Sequence, residues 1–118
     1  MTRDAHAPVT ARASLADLAG QAIAVTDGVA ATSGPAGRWQ TVASARTIVG
    51  VLAVEDGQGR VELDLHLVAR WPPSMPLEQM AEQLRGRVRR AAAIAGMDER
   101  LGAVSVAFDD VAGEIELH

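Results

Sequence analysis

Cysteine, lysine and tyrosine are missing from this 118-residue chain, and its aromatic residues are two tryptophans and one phenylalanine. Without cysteine there is no disulfide, no thiol nucleophile and no thiolate metal site, and the chain suits a reducing compartment. So few rings force an aliphatic core of Val, Leu, Ile, Ala and Met, and they leave few anchors for base stacking or a binding hot spot. No apolar run approaches the roughly 20 residues of a membrane span. The opening MTRDAHAPVTARAS has no apolar segment of a secretory signal. A cytoplasmic protein is expected, peripheral to the cell membrane if something else carries it there. The net charge of −4 and the pI near 5.2 speak against non-specific binding to nucleic acid, which needs a basic surface.

What is present suits one compact domain: 48% hydrophobic residues, a mean hydropathy of +0.09 and a length that can bury a core without staples. Residues 1–13 lack periodicity and read as a tail, residues 14–112 as the domain, and residues 113–118 as a second tail. Ser14 is the expected N-cap of a first helix. Leu18, Ala22, Val25 and Val29 form its apolar stripe, and Gly28 its stop. Residues 33–37 (SGPAG) are loop chemistry. Arg38 to Arg46 alternates weakly as a strand, and the β-branched run Thr47 to Val54 predicts a strand buried on both faces or nearly so.

Asp56-Gly57-Gln58-Gly59 is a hairpin turn. After it Val61, Leu63, Leu65 and Leu67 alternate with Arg60, Glu62, Asp64 and His66, the pattern of a strand with one buried and one wet face. Trp71-Pro72-Pro73 ends that strand, and Trp71 is expected to cover the end of the sheet. Pro76 then opens a long amphipathic helix with Leu77, Met80, Ala81, Leu84, Val88, Ala91 and Ala95 on its core face and Gly96 as its cap. Ala103 to Phe108 is the last strand. The order is α-β-β-β-α-β, an α/β (α+β) two-layer fold with a four-stranded sheet and two helices packed on one face. The long helix would lead to a parallel neighbour, although the sequence leaves the strand order open.

This order resembles the alkaline shock protein family, bacterial envelope stress-response proteins of the general-stress type. The residues that carry the likeness are Gly28-Val29 after the Ala-rich helix, Gly50-Val51, Val61-Glu62-Leu63-Asp64-Leu65, the helix from Leu77, and Val104-Ser105-Val106 leading to Asp110-Val111. It spans residues 15 to 111. The chain departs from it in the elaborate segment 36–48 and in carrying arginine where a lysine-rich surface is usual. The resemblance implies a non-enzymatic cytoplasmic protein that forms homo-oligomers and is held near the membrane by a separate anchor protein.

Three groups are candidate interaction residues, and none is assigned as catalytic, cofactor-binding or metal-ligating. Arg85, Arg87, Arg89 and Arg90 would suit an anionic partner, against the preferred plain reading of a solvated helix face paired with Glu78 and Glu82. Glu62, Asp64 and His66 stand at i, i+2, i+4. Their spacing of roughly 6.5–7 Å is too wide for all three to reach one metal ion easily, so the preferred reading is a plain polar sheet face; if that face has a use, pairing with another subunit is favoured. Gly86 lies away from the apolar stripe, with Ala93 on the same side and Ile94 nearby. A mid-helix glycine costs roughly 1 kcal/mol against alanine; simple tolerance of that cost is the preferred plain reading, and close approach of a second helix is the functional one. No nucleophile elbow, triad context, Walker sequence or dinucleotide fingerprint is visible. The expected function is a self-associating structural protein of the envelope stress response. The alternatives are a small nucleic-acid-binding module using the arginine-rich helix, or a dimeric ligand-binding domain.

Overall fold

A computed structural model describes residues 11–31, 40–43 and 46–113. Helix α1 spans Ala11–Ala24, followed by strands β1 (Val29–Ala31), β2 (Gln40–Ala43), β3 (Arg46–Val49), β4 (Val51–Glu55) and β5 (Val61–Trp71). Helix α2 (Leu77–Ile94), a 3-10 turn (Asp98–Arg100) and strand β6 (Leu101–Gly113) complete the chain. The two-layer α+β class holds, with a four-stranded sheet, two helices and a small two-stranded sheet.

β5 is the spine of the main sheet because every second side chain on it is apolar. Val61, Leu63, Leu65, Leu67 and Ala69 are all fully buried, and each buried leucine contributes about 1.5–3 kcal/mol. β6 pairs with β5 in parallel from Val61↔Leu101 to Trp71↔Gly113. The opposite edge of β5 is shared by two antiparallel strands. β4 covers Val61 to Leu65, and β1 covers Leu67 to Ala69. Between them the His66 amide donates to the Gly50 carbonyl at 2.8 Å.

That junction corrects the reading of Thr47 to Val54 as one strand buried on both faces. Gly50 takes φ +86°, and a Cβ there would come within 2.7 Å of the Ala31 Cβ. Only glycine fits so close to β1 in a left-handed conformation, so the apolar run breaks there into β3 and β4. Val49 and Val54 are exposed while Ile48, Val51 and Ala53 are buried. The strand predicted over Arg38 to Arg46 is the β2–β3 hairpin, of which Gln40 to Ala43 and Arg46 are described. β1, only three residues long, had no sequence pattern to announce it.

α1 starts at Ala11, inside the stretch predicted as tail, and Ser14 lies within it instead of capping it. Its core face is Leu15, Ala16, Ala19, Ala22 and Ile23. The predicted stripe is therefore displaced: Leu18 is half-buried, Val25 is exposed, and Val29 belongs to β1. In an Ala-rich helix small apolar side chains stand on every side, so spacing alone does not select the face that meets the sheet.

α2 is closer to expectation, with Met80, Ala81, Leu84 and Val88 buried. Ala92 completes the stripe in place of Ala95, which is exposed beyond the end of the helix. The Met97 amide reaches the Ala92 carbonyl at 2.8 Å and the Gly96 amide the Ala93 carbonyl at 3.0 Å, around Gly96 at φ +75°. This is a Schellman cap, and Met97 folds back onto the core as that motif requires. The hairpin turn is held by the Asp56 carboxylate, which accepts the Gln58 and Arg60 amides at 2.7 and 3.0 Å. The peptide bond between Trp71 and Pro72 is cis, and Trp71 stands opposite Gly113 with its side chain 39% exposed.

Candidate interaction surfaces

The two edges of the main sheet are treated differently. Along β4 the outward backbone groups meet side chains. The Thr41 hydroxyl donates to the Val51 carbonyl and accepts the Ala53 amide, both at 2.9 Å, and Arg12 donates to the Ala53 carbonyl at 3.4 Å. Thr41 is buried, so these bonds stand clear of competing water. β6 runs 13 residues along the other edge, and no described strand pairs with its outer side. Arg89 reaches one group there, donating to the Gly102 carbonyl at 3.2 Å.

Glu62, Asp64 and His66 share the sheet face turned away from the helices. Glu62 is exposed and the other two are half-buried. His66 Nδ1 lies 3.1 Å from a carboxylate oxygen of Asp109 on β6. That contact draws the histidine toward β6 and away from a shared site with the two acids. Among the described residues no three potential ligands stand close enough to hold a metal ion.

The four arginines of α2 do not make one patch, because successive residues turn about 100° around a helix. Arg85 pairs with Glu82 at 2.7 Å, and both line an open cleft of about 400 Å³ between α2 and β6 that is floored by Val106 and Phe108. Arg89 points to Gly102. Arg87 and Arg90 flank a different groove, between α2 and α1. There Arg87 donates to the Val25 carbonyl at 3.4 Å. A Cβ built on Gly86 meets nothing within 4 Å, and Ala93 is exposed, so this side of the helix is open. At the hairpin, Arg100 donates to the Gly59 carbonyl at 2.6 Å and lies 3.9 Å from Glu55, which ties the β4–β5 tip to the start of β6.

Thus the structure puts the predicted acidic face and the predicted arginines on opposite sides of the sheet. Two features escaped the sequence reading. Thr41 as an edge cap had only a weakly alternating segment to signal it. Val25, assigned to the core, stands instead at a surface groove. Comparison with protein-family models, with curated proteins and with solved structures returns no match to this chain.

Proposed function

We propose that this chain is a non-catalytic, self-associating structural domain of the bacterial envelope stress response, recruited to the membrane from the cytoplasm by a separate anchor protein. The observation that supports self-association is the contrast between the sheet edges. A strand edge left bare is a template for another strand, and proteins that must avoid pairing blunt it with bulges, charges or side-chain caps. β4 carries such caps in Thr41 and Arg12; β6 has a bulge at Asp109 and one bond from Arg89 to the Gly102 carbonyl, and no described strand pairs with its outer side.

Two copies meeting along β6 about a two-fold axis would continue the sheet from one subunit into the next, with backbone hydrogen bonds supplying the contact. No described helix is long and apolar enough to cross a membrane, so membrane attachment in this reading falls to the anchor. Ala103 and Ser105 are exposed on β6. Size-exclusion chromatography with light scattering over a wide concentration range should give an oligomer. Ala103→Lys combined with Ser105→Lys should shift it to monomer while circular dichroism stays native. A wild-type chain that is monomeric at every concentration would overturn the reading.

A further inference from the structure

The groove between α1 and α2 is built from one matching row on each helix. α1 and the turn that follows it supply Leu18, Ala22 and Val25, and α2 supplies Arg87, Ala91 and Ile94, both at i, i+4, i+7. That spacing is the one with which a pair of helices receives the side chains of a third. The groove is shallow and open, with about 300 Å³ of space in it. Ile94 and Val25 at its rim are 81% and 63% exposed, the two most exposed large apolar side chains among the described residues. Covering them would remove apolar surface from water.

Charge selects the occupant. No acidic side chain lines the groove, although the chain as a whole carries −4. Arg87 and Arg90 both stand on the α2 side. Arg90 makes no hydrogen bond or ion pair with any described residue, and its neighbour Arg87 holds only a long contact to the Val25 carbonyl. Two such cations beside an apolar trough complement carboxylates beside an apolar stripe. We infer that this groove binds an amphipathic helix of a partner protein, its apolar stripe seated between α1 and α2 and its acidic flank against Arg87 and Arg90. The groove lies on the flank of α2 opposite the cleft with Val106 and Phe108 of β6, so it does not depend on pairing along β6.

The test uses the full chain and a fluorescent synthetic helix of about three heptads, with leucine at the seam positions and glutamate on its flanks. The control peptide carries lysine in place of glutamate. The glutamate peptide should bind with saturation, and the lysine peptide at least about tenfold more weakly. Arg87→Glu with Arg90→Glu should invert that preference, and Ile94→Ser should weaken both peptides. All three positions are exposed, so circular dichroism should stay native in each variant. Equal binding of the two peptides, or no saturable binding of either, overturns the proposal. So does binding to anionic vesicles that outcompetes the glutamate peptide. Loss of the oligomer in the Arg87→Glu, Arg90→Glu variant would mean that a second copy fills the groove, and would overturn it equally. Failure of the β6 lysine variant to dissociate leaves this result untouched, so the two readings fail separately.

Discussion

The Thr41 hydroxyl stands 2.9 Å from the Val51 carbonyl and takes the Ala53 amide at the same distance, so one side chain does the work of a neighbouring strand along the edge of β4. Both partners are buried in the core and Thr41 is 2% exposed. Thr41→Val keeps the shape of the side chain and leaves two backbone groups unpaired. Urea unfolding should show a loss of about 1–3 kcal/mol, with Thr41→Ser recovering most of it. Wild-type stability in the valine variant would mean that the edge is satisfied by other means.

Gly50 is the point where β1 and β4 meet along β5. An alanine there must adopt φ +86° and press its Cβ against Ala31, whose own Cα would lie 3.1 Å away. The left-handed conformation alone costs roughly 1–2 kcal/mol, and the backbone contact cannot be relieved by a rotamer change. Gly50→Ala should therefore lose at least about 2 kcal/mol. Gly57→Ala, at a turn position where an added Cβ meets nothing, should stay within about 0.5 kcal/mol of wild type. Equal chemical denaturation midpoints for the two variants would contradict this assignment of the junction.

The Asp56 carboxyl is held below the ordinary aspartate range, first by the Gln58 amide, then by the Arg60 amide, with a smaller contribution from the Arg60 guanidinium. A carboxyl whose pKa is lower in the folded than in the unfolded chain stabilises above its unfolded pKa. That contribution fades as pH falls through the folded one. The stability gap between wild type and Asp56→Ala should thus be constant near neutrality and close below about pH 4. Denaturation midpoints measured from pH 7 down to pH 3 would expose the error if the gap widened in acid.

Strong alternation made part of this fold legible in the sequence. Val61, Leu63, Leu65 and Leu67 are separated by polar residues, so the buried face of β5 needed no further information. Gly96 after a long periodic helix was equally readable. Contrast failed in two places. In α1, alanines at 13, 16, 19 and 22 are buried beside Leu15 and Ile23, yet Leu18, Ala22 and Val25 keep helical spacing of their own. The stripe exists, but it faces the groove. Between Thr47 and Val54, apolar residues stand on both sides of Gly50, and only the proximity of Ala31 reveals the break. Of the groove itself, Arg90 and the exposed Ile94 were visible in sequence. Val25 was not, because its spacing from Leu18 and Ala22 is that of a core stripe and nothing local tells such a stripe from one that faces the surface.

His66 and Asp109 join β5 to β6 where the strand register slips. His66 pairs with Ala107 and Leu67 with Phe108, but Val68 pairs with Asp110, which leaves Asp109 as the extra residue of a bulge. The two side chains touch at 3.1 Å while 14% and 37% exposed. Water reaches the carboxylate, so the contact should be weak despite its length. A double-mutant cycle with His66→Ala and Asp109→Ala should give a coupling of about 0.2–1 kcal/mol by urea unfolding. Glu62→Gln, on the same open face and exposed, should change stability by less than about 0.5 kcal/mol. A coupling above about 2 kcal/mol would assign the pair a structural role in setting the bulge.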